Sequence, residues 1–225
     1  EALRCFMQSQ SFIKADDLHG RSINLIHLGN IYLDLGKWQK AEECYQEALQ
    51  AKENLGDRDG IQSLYKHLAS LQRRQGNYDT AKNLLSKSLV ISRDLLDLQA
   101  EAVALGNLGS LYIEMGDFVR AEPYLREALE NFLEIDNHRS AGGTLNQLGM
   151  VLQAQAKRGE ARDCYDNSFM MAEEIQDLEG MGTSLHNLGS LARDEGLMTE
   201  AQGYYLQALD IFQRIGSRHE EGQLK

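Results

Sequence analysis

The groups able to do chemistry in this 225-residue chain are three cysteines, six histidines and 34 carboxylates. Their spacing argues against catalysis. His219-Glu220-Glu221-Gly222-Gln223 begins like a zinc-protease helix but lacks the second histidine that would complete a metal pair. No other histidines stand at a metal-ligand spacing, so no metal is expected. The sequence has no glycine-rich phosphate loop ending in Gly-Lys-Ser/Thr, no GxGxxG turn and no GxSxG nucleophile elbow. Cys5, Cys44 and Cys164 lie far apart with no CxxC spacing, the pattern of free thiols in a reducing compartment, and a cytoplasmic location is expected. Cys44 and Cys164 each precede a tyrosine, Tyr45 and Tyr165, at a helix-packing position, so both are expected to be buried as small apolar groups. Asp17, Asp57, Asp97 and Asp177 recur in one register and are explained as helix caps. The expectation is a protein that is not an enzyme and carries no cofactor.

The elements that position these residues follow from composition and periodicity. The chain has one proline against 20 glycines and is rich in Ala, Leu, Glu, Gln and Arg, as in an almost wholly helical protein. A net charge of −11 makes nucleic acid and anionic membrane surfaces poor partners. No apolar run is long enough to span a bilayer, and Glu1-Ala2-Leu3-Arg4 does not read as a signal peptide.

A period of forty residues runs through the chain without insertion. Leu28, Leu68, Leu108, Leu148 and Leu188 mark it, each followed by Gly or Ala. Gly36, Gly76, Gly116, Ala156 and Gly196 suit a left-handed helix end. Ala41, Ala81, Ala121, Ala161 and Ala201 recur in the second half of each unit. Asp17, Asp57, Asp97, Asn137, Asp177 and Ser217 are N-cap types at the same step. Each unit therefore predicts helix A over about 18–35 and helix B over about 38–55 of the first unit's register. The repeats span 17–56, 57–96, 97–136, 137–176 and 177–216, with a half repeat at 1–16 and the start of a further helix at 217–225. The ends read as cuts in a longer array, and their open apolar faces are expected to permit end-to-end self-association.

These markers resemble the tetratricopeptide repeat. Its pattern W/L-x-x-L-G-x-x-Y then A-x-x-x-Y-x-x-A-L is matched by Leu25, Leu28, Gly29, Tyr32, Ala41, Tyr45, Ala48 and Leu49. The third unit repeats it with Leu105, Leu108, Gly109, Tyr112, Ala121, Leu125, Ala128 and Leu129. The period departs from the usual ~34 residues, and the unit-ending proline is missing. This longer variety looks like the repeats of spindle-orientation adaptors, kinesin light chains and the sensor arms of bacterial signalling ATPases and transcription regulators. The resemblance implies an all-α, right-handed superhelical solenoid of antiparallel hairpins, about five repeats and a half, with A helices lining a concave groove.

Helix geometry picks out the groove positions. Helix A buries 25, 28, 29 and 32, so 23, 27, 30 and 34 face away, flanked by 26 and 33. Position 27 and its equivalents, His27, His67, Asn107, Gln147 and Asn187, form a ladder of hydrogen-bonding groups. Position 30 gives Asn30, Ser70, Ser110, Met150 and Ser190, mostly small. The flanks add Lys66, Asn146 and His186, with Arg73, Arg74 and Arg193 making basic points. Leu33 belongs to an apolar groove point on the first unit. The resemblance also offers an analogy, since asparagines on helix A often hold ligand backbone in this family. Only Asn30, Lys66 and Asn107 match the family's carboxylate clamp, and that clamp is not predicted. The leading reading is a scaffold that binds a protein or peptide in the groove. The alternative is a sensor or autoinhibitory arm of a larger signalling ATPase or transcription regulator.

Overall fold

The computed structural model describes residues 17–223, with side chains described through residue 216. Ten α-helices and no strand occur among the described residues. They pair as α1 (Leu18–Asp34) with α2 (Trp38–Leu55), α3 (Arg58–Arg74) with α4 (Tyr78–Leu95), and α5 (Leu98–Glu114) with α6 (Phe118–Glu134). The last two pairs are α7 (His138–Ala154) with α8 (Arg158–Glu174), and α9 (Leu178–Asp194) with α10 (Met198–Gln223). The all-α repeat of helical hairpins expected from the period is thus present.

Both ends of the A helices have local causes. Asp17, Asp57, Asp97, Asn137 and Asp177 each accept a hydrogen bond from the backbone N–H three residues on, at 2.8–3.3 Å. These caps satisfy donors that a helix start leaves orphaned. At the other end, Gly36, Gly76, Gly116, Ala156 and Gly196 all have φ between 62 and 80°. There the chain turns sharply into helix B, as a left-handed residue allows. The end of helix B makes a second left-handed corner at Gly56, Leu96, Asp136 and Gln176, with φ 53–67°. Ser217, read from the register as the cap of a further helix, lies within α10, which runs on to Gln223.

The chain divides into two compact units inside α5, the first ending at Ala104 and the second beginning at Leu105. In the first unit, Leu25, Leu28, Tyr32, Tyr45, Leu64, Leu68 and Leu71 form the core. Leu33, expected on the groove face, joins this core instead, since the chain turns into α2 just beyond it. In the second unit, Tyr112, Leu125, Leu148, Val151, Leu152, Tyr165 and Leu188 play that part. Serines in the alanine register tie hairpins together from within. Ser88 donates to the carbonyl of Gln62 at 3.1 Å, and Ser168 donates to that of Gly142 at 2.8 Å.

Charged contacts join α6 to α8 and α8 to α9–α10. Glu122 receives Lys157 at 2.9 Å and Arg126 at 2.8 Å. Arg162 reaches both Glu195 and Glu200 at 2.9 Å. Burial opposes the charge on Glu122, yet hydrogen bonds from Lys157, Arg126 and Gln155 outweigh it and bring the carboxyl down to about 2.

Candidate functional site

The A helices carry one face that the core does not consume. In the second unit α7 and α9 line an open cleft of about 370 Å³. Its walls are Met150, Gln153 and Ala154 of α7, with His186, Asn187, Ser190 and Asp194 of α9. Its floor is Tyr165 of α8, which is fully buried. The Tyr165 hydroxyl donates to Gln153 Oε1 at 2.9 Å, and Gln153 Nε2 donates to Asp194 Oδ2 at 2.7 Å. Floor and both walls are therefore linked.

The polar ladder is half engaged. Asn187 Nδ2 donates to Asn146 Oδ1 at 3.1 Å, and Asn146 Nδ2 donates to Ser184 Oγ at 3.2 Å. Asn146 is only 7% exposed, so this expected groove residue orients Asn187 from behind. A buried amide must be bonded, and Ser184 supplies what no local pattern announces. Gln147 Nε2 donates to Ser110 Oγ at 3.1 Å, and Ser110 donates to the carbonyl of Gly106 at 2.9 Å. Asn107 is half-buried with no bonded partner among the described residues. The His186 ring lies 5.4 Å from that of Tyr205. Met150 is exposed, and Arg193 reaches Ser190 Oγ at 3.3 Å.

The first unit has the same architecture with different chemistry. Tyr45 is fully buried beneath α1 and α3, and its hydroxyl donates to Asn30 Oδ1 at 2.6 Å. His67 stacks on Tyr45 with ring centroids 5.4 Å apart. Burial, then the charges of Lys66 and His27, hold the His67 imidazole below its usual range. His27 and Arg74 are exposed, while Lys66, Ser70 and Arg73 are half-buried. Sequence reasoning missed both tyrosine floors, together with Gln153 and Asp194. A signal existed, because Tyr45 and Tyr165 stand sixteen residues after Gly29 and Gly149 in the register. A Cβ on either glycine would collide with the tyrosine ring.

Neither cysteine among the described residues is activated as a nucleophile. Burial pushes the Cys44 thiol up, and it pushes that of Cys164 up to about 11. A catalytic thiol needs the opposite shift. Among the described residues no helix is long and apolar enough to cross a membrane.

Antiparallel helix pairs in one fixed register, with a side-chain face left over, define the helical-repeat class of proteins. The tetratricopeptide repeat family profile matches residues 21–94, 60–134 and 140–214, and this chain belongs to that family. It is similar to the Homo sapiens SH3 domain and tetratricopeptide repeat-containing protein 2, with 26% identity over 175 residues. That match covers 78% of this chain and 14% of the human protein's length. Among solved structures, BtubC (BKLC) from P. vanneervenii aligns with TM-score 0.82 at 23% identity, over 95% of this chain and 89% of that one. The TPR-like repeats of a Podosopora anserina putative kinesin light chain align with TM-score 0.74 at 17% identity, over 91% and 100%. The likeness to these two structures is one of fold.

Proposed function

We propose that this chain is a protein–protein interaction module that holds the main chain of a partner peptide against its A helices, at the cleft between α7 and α9. The observation that supports this is the state of Asn187 and Gln147. Each gives one side-chain N–H to a neighbouring A helix and is thereby oriented. Each keeps a carbonyl oxygen and a second N–H for a ligand. A peptide unit offers one donor and one acceptor, the complement of such an amide. Asn146 would position Asn187, and Asn107 would extend the row. His186, Met150, Ser190 and Arg193 would meet side chains rather than backbone. An acidic surface makes nucleic acid and membrane poor alternatives, and the unpaired cysteines suit the cytoplasm.

The test is selection from a displayed library of short random peptides, on the whole chain and on Gln147→Ala/Asn187→Ala. Binders enriched on the first and lost by the folded variant support the cleft. Equal retention by both would move the site elsewhere. The chain spans 14% of its human relative's length, so the regulatory-arm reading places the ligand in neighbouring sequence. Peptides from flanking segments of the full gene, added to the library, separate that reading from an external partner.

A further inference from the structure

The hairpin of α3 and α4 departs from the register at two positions that meet in space. Helix α3 has Tyr65 where the other A helices have Leu25, Leu105, Leu145 and Leu185. Those four leucines are buried in the core, whereas Tyr65 is only half-buried. A leucine meets the needs of packing at this position, so stability alone does not call for the larger phenol. Helix α4 has Lys87 where the other B helices have Glu47, Glu127, Asn167 and Gln207. The Lys87 ammonium stands 5.6 Å from the centroid of the Tyr65 ring and forms no ion pair among the described residues. At this meeting point the hairpin opens into a pocket of about 550 Å³. Tyr65 lines it from α3, and Asn83, Ser86, Lys87, Val90 and Ile91 line it from α4. All six lie within the first compact unit.

We infer that this pocket binds a small amphipathic carboxylic acid, with the carboxylate on Lys87 and the apolar body against Tyr65, Val90 and Ile91. The site shares no residue with the α7–α9 cleft and goes beyond the peptide-binding reading. Its volume falls within the ~300–1,000 Å³ usual for small-molecule sites, and an apolar wall with a few polar groups is their usual lining. Charge selects an anion, because Lys87 is the single charged residue among the six. The acidic residues nearest to it along α4 are Asp79 and Asp94, and each already has its own cation. Asp79 pairs with Lys82 at 3.3 Å, and Asp94 pairs with Arg58 at 2.6 Å. Asn83 lies one turn before Lys87 on the same helix face. Neither Asn83 nor Ser86 forms a side-chain hydrogen bond among the described residues. An amide N–H and a hydroxyl are thus free for the carboxylate's second oxygen. Contact with the Tyr65 ring holds the ammonium in place before the ligand arrives. The apolar wall selects an organic acid over a bare inorganic anion, and an aromatic body gains edge or offset contact with Tyr65.

The test is a titration of the isotopically labelled chain with phenylbutyrate, followed through the backbone amide signals. Phenylbutanol, its neutral counterpart, and acetate, which lacks the apolar body, are run beside it. Phenylbutyrate should give saturable shifts at Tyr65 and along Asn83 to Ile91 in the millimolar range expected of so small a ligand. Phenylbutanol should bind about fivefold more weakly or worse, and acetate should leave these signals in place. Lys87→Gln should weaken phenylbutyrate by about the same factor. Tyr65→Leu, which restores the residue of the other units, should keep the thermal midpoint followed by circular dichroism and lose the ligand. Equal binding of acid and alcohol, or unchanged binding by either variant, overturns the inference. Acetate bound as tightly as phenylbutyrate would make this an adventitious anion site and overturn it too. So would the lack of any saturable shift on α3 and α4. The displayed peptide library reads the α7–α9 cleft separately, so failure here leaves the interaction function standing.

Discussion

Leu96 ends α4 at φ 56° with its side chain 87% exposed. A left-handed backbone costs a branched residue about 1–2 kcal/mol, and this leucine gains little packing in return. Leu96→Gly should raise stability by about 0.5–1 kcal/mol, after allowing for the extra freedom of glycine in the unfolded chain. A urea midpoint that stays level or falls would show that the corner is unstrained. Gly36→Ala, at φ 68°, should move the midpoint down by about 1 kcal/mol. The two corners also show what a sequence reveals about single residues. The first was legible because four of its five members are glycine. The second holds Leu96, Asp136 and Gln176, residues that do not signal a positive φ. The N-caps were legible because their partner lies three residues away. Asn146 was not, because its partners Ser184 and Asn187 lie 38 and 41 residues away.

At the scale of elements, the approach of helix A to helix B is set by what faces the small residue after each marker leucine. A Cβ at Gly149 would press on the Tyr165 ring, and one at Gly109 would press on the end of Leu125. A leucine can change rotamer, whereas a ring buried beneath two helices cannot step aside. The same register in α3 and α4 already pairs Ala69 with Leu85, both buried. Gly109→Ala should therefore be neutral or stabilising by up to about 1 kcal/mol, from helix propensity. Gly149→Ala should cost about 1–2 kcal/mol net, as overpacking exceeds that gain. Equal effects of the two substitutions on thermal midpoints would refute this account. The charged cluster joining α6 to α8 makes a separate prediction. The Glu122 carboxyl is lowered from 4.5 to about 2, so its contribution is full above the higher value and is lost as pH falls through the lower one. The stability gap between the unmodified chain and Glu122→Gln should therefore be widest near neutral pH. It should close between about pH 4.5 and 2. A gap that does not change with pH would assign Glu122 a packing role only. Helix bounds were legible within a residue or two because caps and corners both announce themselves. The continuation of α10 through Ser217 was not, since a cap residue stops a helix only where something makes the chain turn.

At the scale of the molecule, repeats bury their faces against neighbours, so stability is shared locally. Gly149→Ala should raise hydrogen-exchange rates mainly in α7, α8 and α9, with α1 to α3 keeping theirs. A uniform rise would mean that the chain opens as one cooperative body. The fold class and the A-helix face were legible because the forty-residue register repeats both. Which parts of that face form a cleft was not, because the cleft depends on tyrosines of the B helices reaching between two A helices. The register has one more consequence. The ladder bond from Asn187 to Asn146 and the bond from Gln153 to Asp194 each close over 41 residues, and the serine ties close over 26. A chain with such short loops has low contact order and fast-forming contacts. On the ribosome, each hairpin can therefore dock on its predecessor soon after it emerges, and synthesis never leaves more than about one unit of apolar surface waiting for a distant partner.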